Sequence, residues 1–189
     1  MSYTYCNCKN LVGSPICGNN VVDFSGAYAE CAQLTGAPVC GENVVNMSQA
    51  YYNCWWMKGN PVCGNKVVDM SEAYSNCQYI NGVAACGPEV VNMYNAYTLT
   101  GIETAVCGDK VEDMQATYEN CRYLTGSAAC GPRVTNMITT YLNCRNLVNA
   151  ACGDNVIDMF SAYRNCANLT GSPVCGKNVV NMGFAYYNC

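Results

Sequence analysis

The chain has 189 residues, with 9 Lys plus Arg against 13 Asp plus Glu, for a formal net charge of −4. That balance leaves little to neutralise a phosphate backbone, so nucleic acid is not an expected partner. Histidine is absent, which removes the usual general base near neutral pH and the commonest metal ligand, and no catalytic, cofactor or metal site is expected. Apolar residues make up 51% and charged residues 12%, so the chain can bury a core and is not disordered.

The N-terminal segment MSYTYCNCKN has no basic stretch followed by an apolar run, and no signal peptide is read there. No stretch approaches the ~18 apolar residues of a spanning helix, so membrane insertion is not expected. From Cys17 onward the chain repeats. A cysteine followed by glycine recurs at Cys17, Cys40, Cys63, Cys86, Cys107, Cys130, Cys152 and Cys175. A second cysteine series closes each tyrosine-containing segment at Cys8, Cys31, Cys54, Cys77, Cys121, Cys144, Cys166 and Cys189, with one member missing near Thr100. A constant period in this range marks a solenoid whose units stack on one another. The expected fold is therefore a leucine-rich-repeat-like solenoid of about eight coils of 21–23 residues, one uncapped domain over residues 1–189. At ~4.8 Å per stacked strand it would be a rod roughly 40 Å long.

Within each coil, comparison with the others shows which positions face inward. Val21, Val44, Val67, Val90, Val111, Val134, Val156 and Val179 are invariant, and Phe24 or Met stands three places later. Tyr28, Tyr51, Tyr74, Tyr97, Tyr118, Tyr141, Tyr163 and Tyr186 form an unbroken column, and Leu, Met or Ile opens the next coil. Short parallel strands are expected over the V-x-[DN]-M segment and over the Val-Cys pair. The Ser-x-Ala-Tyr-x-Asn-Cys segment, with Met, Tyr and Cys three to four apart, predicts a short helical turn.

Between Val and Met lies a column that alternates without exception: Asp23, Asn46, Asp69, Asn92, Asp113, Asn136, Asp158, Asn181. Stacked carboxylates ~5 Å apart would repel, whereas an intervening amide can donate to both neighbours. This column is expected to be a structural inter-coil ladder, or to record duplication of a two-coil unit. The cysteines are expected chiefly as small buried hydrophobes. A disulfide ladder, such as Cys54 with Cys63, and a metal site at Cys6 and Cys8 remain as weaker alternatives.

The only tryptophans, Trp55 and Trp56, precede inward Met57; the Trp56 column continues with Tyr79 and, beyond the shortened coil, with Tyr123. The core does not demand large rings there, so these four residues are the candidate ligand-binding strip. The spacing from Cys86 to Cys107 is two residues shorter than the common 23. The stack should bend or soften there, with local disorder or an altered twist expected near residues 98–105. Residues 1–121 hold 4 basic and 11 acidic residues (−7), and residues 122–189 hold 5 and 2 (+3), which favours head-to-tail contact.

The pattern V-x-N-M-x-x-A-Y-x-N-C-x-x-L-T-G, seen in Val44–Cys54 and Leu34–Gly36, resembles the BspA-type leucine-rich repeats of bacterial surface proteins. There a similar V-x-N-M leads into x-x-C and x-x-L. The resemblance runs over essentially the whole chain. It implies a parallel-sheet solenoid and a non-catalytic role in adhesion or protein binding at a cell or virion surface. The partner would be a protein or surface ligand. The alternative is a structural protein that stacks head-to-tail into a filament.

Overall fold

The computed structural model describes residues 1–189 and shows successive repeats lying one on another in register. The backbone of the Asp/Asn column pairs in parallel from one coil to the next through all eight members, from Asp23↔Asn46 to Asp158↔Asn181. Each contact is a single-residue bridge. The named strands are β1 (Asn81–Val83), β2 (Gly101–Thr104), β3 (Gly126–Ser127) and β4 (Leu147–Asn149). They form two separate parallel pairs, β1 with β2 and β3 with β4, each with a shift of register.

Two expectations are corrected here. The Val-Cys pair is not a strand, because its backbone is occupied elsewhere: the hydroxyl of Tyr51 accepts the Val39 N–H at 3.0 Å and donates to the Val39 carbonyl at 2.7 Å. The same closure joins Tyr74 to Val62 and Tyr97 to Ala85. One phenol thus satisfies both polar groups of a peptide 12 residues upstream, which would otherwise be under-paired next to the core.

The second correction concerns the short helical turns, for there is no helix. In the coil that begins at Met47, the N–H groups of Met47, Gln49, Tyr51 and Asn53 donate to Asp69, Ser71, Ala73 and Ser75 of the next coil. Alternate residues therefore serve a parallel ladder, while Ala50 and Cys54 close tight turns onto Met47 and Tyr51. The third residue of each of these turns has positive φ, 56° at Gln49 and 60° at Asn53, as type II turns require. Asparagine tolerates that region better than other side chains, which accounts for the Asn of the Tyr-x-Asn-Cys motif. An α-helix would consume these N–H groups internally and leave nothing to join the coils.

Val44, Met47, Tyr51, Cys54 and Met57 and their column-mates in the central coils are fully buried. Tyrosine rings stack along the molecule at centroid separations of 5.4–5.8 Å from Tyr28 to Tyr186. Offset stacking of this kind adds about 0.5–1.5 kcal/mol per pair beyond area burial.

The shortened coil does not interrupt the stack. Asn92 still pairs with Asp113, and residues 101–104 form β2, the longest strand. Thr100 takes the missing cysteine's place, buried, with its Oγ1 donating to Tyr97 O at 2.7 Å and lying 3.4 Å from Cys121 Sγ. A hydroxyl of similar size replaces the thiol, and the pairing of β1 with β2 beside it carries a shift of register.

The Asp/Asn side chains mostly serve their own coil. In every member Oδ1 accepts the backbone N–H two residues on, as Asn92 does from Tyr94 at 2.9 Å. The side-chain bridge between unlike members occurs at Asn181, whose Nδ2 donates to Asp158 Oδ2 at 3.0 Å. The side-chain ladder that does run from coil to coil is the positive-φ asparagine column. Asn76 donates to Asn53 at 2.7 Å, Asn143 to Asn120 at 2.8 Å, and Asn165 to Asn143 at 2.7 Å.

Since either Asp or Asn can accept the turn N–H, what distinguishes them in the alternating column is charge, together with the amide N–H that Asn181 gives Asp158. Asn92→Asp would set three carboxylates in consecutive coils. Its urea midpoint should fall at pH 7 by the equivalent of about 1 kcal/mol and recover near pH 3, where carboxyls are neutral. Equal midpoints at pH 7 would remove electrostatics as the reason for alternation.

Candidate functional site

All seventeen thiols are free. The inner thiols donate to the tyrosine carbonyl of the preceding coil, as Cys77 Sγ does to Tyr51 O at 2.9 Å. The outer thiols face the Gly that follows them and accept the next coil's glycine N–H, as Cys63 Sγ does from Gly87 at 3.2 Å. Burial pushes Cys77 up to about 12 and Cys121 to about 11, so both remain protonated at neutral pH. No three His, Cys, Asp or Glu side chains converge on a point where a metal ion would sit. No helix is long and apolar enough to cross a membrane.

The aromatic strip is placed differently. Trp55 is 50% exposed, Trp56 44%, Tyr79 47% and Tyr123 66%. Trp56, Tyr79 and Tyr123 are held at the surface because each immediately precedes the inward residue of its coil: Met57, Ile80 and Leu124 are fully buried. Trp56 and Tyr79 stack, with ring centroids 5.2 Å apart and planes 11° from parallel. The other side of Tyr79 opens on a cleft of about 560 Å3, and Tyr123 lines the same cleft.

The cleft follows from the coil that was expected to bend. Cys77-Gln78-Tyr79-Ile80 and Cys121-Arg122-Tyr123-Leu124 carry two residues between column positions, whereas Thr100-Gly101-Ile102 carries one. The intervening coil therefore presents no ring between Tyr79 and Tyr123. Its Gly101 donates to Ile80 O at 2.8 Å, and a Cβ built there would stand 2.8 Å from that same oxygen. Only glycine lets the chain run this close to its neighbour; the intervening coil brings Leu99 and Thr100, but no ring, to the cleft. The polar rim comprises Gln78, Asn81, Glu103, Asn120 and Arg122.

Three of the four strip residues thus form a continuous feature: Trp56 on Tyr79, then the gap, then Tyr123. Trp55 is adjacent in sequence but does not line the cleft. The eight Asp/Asn residues form the backbone ladder described above and do not meet this site. Sequence reading did not find Gln78, Asn81, Glu103, Asn120 and Arg122. The signal available for them was the missing residue between Thr100 and Ile102, which identifies where a rung is lost.

No family model matches the chain, and no curated protein matches it. Among solved structures, the chain is similar to a leucine-rich cell surface protein from Faecalibacterium prausnitzii, with a TM-score of 0.51 and 14% identity. The match covers 89% of this chain and 61% of that one, so this chain spans somewhat under two thirds of that protein's length. At this identity the likeness concerns the fold: this chain has a repeat fold of the leucine-rich kind seen in that surface protein.

Proposed function

We propose that the chain is a non-catalytic solenoid module that binds a ligand at a cell or virion surface through its exposed aromatic strip. The observation that carries this reading is the placement of Tyr79 and Tyr123 at the surface on one cleft, with exposed Trp56 stacked on Tyr79, where the core makes no use of their rings. Partly exposed large aromatics over an open cleft are what binding hot spots are built from. The fold likeness to a cell surface protein supports the location. The lack of histidine and the protonated state of the buried thiols support a non-catalytic role.

The test is saturable binding of the fluorescently labelled protein to intact bacterial and epithelial cells. Trp56→Ala combined with Tyr79→Ala should weaken it at least tenfold, while circular dichroism stays unchanged. Equal binding by the double variant would remove the strip from the interaction and overturn the reading.

The filament alternative rests on charge: residues 1–121 carry −7 and residues 122–189 carry +3, so unlike halves would attract in a head-to-tail stack. Sedimentation velocity with electron microscopy distinguishes the readings. Concentration-dependent particles many coils longer than one chain support stacking, and a single monomeric species at ~100 μM rejects it.

A further inference from the structure

Resting on that reading, we propose that the cleft between Tyr79 and Tyr123 is a saccharide site. It would take one gluco-configured pyranose ring, with its hydroxyls equatorial, inserted as the missing rung of the aromatic column. The column supplies the dimensions. Tyr79 and Tyr123 lie two coils apart, roughly 10 Å at the spacing of stacked strands. Trp56 and Tyr79, one coil apart, sit with centroids separated by 5.2 Å. A flat six-membered ring placed midway would meet each tyrosine at about the distance at which this column already stacks. Gly101 lines the space without a side chain, and the same coil's Leu99 and Thr100 line it as an aliphatic and a hydroxyl edge and not as a stacking ring.

Two features select a sugar over an aromatic side chain of a partner. The first is the rim. Gln78, Asn81 and Asn120 bring amide donors and acceptors, Glu103 a carboxylate and Arg122 a guanidinium around the same opening. Glu103 and Arg122 are not paired with each other, since the ion pairs in the molecule are Lys110–Glu89 and Lys177–Asp154. An inserted phenyl or indole ring would desolvate this rim and leave it without partners, which is costly. A ring bearing a hydroxyl at each edge position would satisfy it.

The second feature is the enclosure from both sides. A pyranose with all its substituents equatorial shows only axial C–H groups on each face, so both faces suit an aromatic neighbour. A galactose- or mannose-type ring turns one axial hydroxyl toward a tyrosine, where no acceptor waits. The site should therefore discriminate by the orientation of a single hydroxyl.

The experiment is a titration of the whole chain with cellobiose, followed by Trp56 fluorescence and by 1H–15N shifts of Gly101 and Asn120. Methyl β-galactopyranoside and p-cresol are titrated in parallel. The proposal expects saturable shifts with cellobiose, at least tenfold weaker binding of the galactoside, and loss of cellobiose shifts in Tyr79→Ala and in Tyr123→Ala. Both substituted rings are about half exposed or more, so both variants should fold. Arg122→Ala should weaken binding several-fold with no change in thermal midpoint.

Binding of p-cresol with no response to cellobiose would assign the gap to an aromatic group and overturn the proposal. Equal affinity for both sugars would overturn the enclosure argument. Cell binding that persists and is not competed by excess cellobiose would reject the saccharide while leaving the surface module intact. Failure of both cell binding and cellobiose binding would reject the two together.

Discussion

Replacing Tyr97 with alanine should lower stability by roughly 5 kcal/mol, a large part of what a domain of ordinary stability possesses. The ring is fully buried and stacks on both neighbours, at 5.5 Å from Tyr74 and 5.8 Å from Tyr118. Truncating a buried aromatic of this size costs about 3–5 kcal/mol through lost burial and the cavity left behind. The hydroxyl adds a second loss. It accepts the Ala85 N–H at 3.0 Å and donates to the Ala85 carbonyl at 2.6 Å. Tyr97→Phe isolates that contribution and should cost about 1–3 kcal/mol, because two backbone groups lose their partner. For a chain of this length the alanine variant's melting point should fall by roughly 10–20 °C. Urea denaturation of both variants checks the pair. A Tyr97→Phe protein as stable as the parent would show that the coil is closed by something other than the phenol.

The second large effect is alkaline unfolding. Cys77 and Cys166 are pushed up to about 12 and Cys121 to about 11, in each case chiefly by burial. Burial also raises Cys54 and Cys144. A thiol whose pKa is raised on folding binds its proton more tightly in the native state. Its contribution is therefore fully present below the unfolded value of 9.0 and is lost as pH climbs toward the folded one. At pH 10, above the unfolded value, each such thiol costs on the order of 1 kcal/mol, and the five together several kcal/mol. That sum is comparable to the whole stability of an ordinary domain. Stacked tyrosines such as Tyr74 and Tyr97, raised by burial in the same sense, add to the loss above pH 10. Far-ultraviolet circular dichroism between pH 7 and 11 should show a flat region to about pH 9 and cooperative unfolding near pH 10. Iodoacetamide should label the inner thiols only beyond that transition. An unchanged spectrum at pH 11 would mean that the inner column is hydrated.

The two effects have a common source. Every coil except that of Tyr97 and Thr100 places a tyrosine and a cysteine three residues apart on a tight turn, and the cysteine's thiol reaches back to the tyrosine carbonyl one coil away. The tyrosine meanwhile reaches across its own coil to the peptide 12 residues upstream. Together they tie each layer to itself and to its neighbour with neutral groups, which is why high pH attacks them and mild acid does not.

Sequence alone determined the period, the number of layers, the inward columns and the exposed aromatic strip. These are properties of burial, and burial in a repeat protein is written in which positions vary and which do not. The tertiary structure decided the hydrogen-bond partners. Met, Tyr and Cys at spacings of three to four suit a helical turn equally well, and only the neighbouring coil's carbonyls turn the segment into paired turns with Gln49 and Asn53 at positive φ. The Asp/Asn alternation is visible in the letters, but that each Oδ1 caps its own turn depends on side-chain direction. The cleft is the clearest case. Loss of one residue between Thr100 and Ile102 can be counted, yet whether a coil bends, frays or tightens is settled by packing. Here Gly101 lets the backbone close against Ile80, and the vacancy moves outward, between Tyr79 and Tyr123.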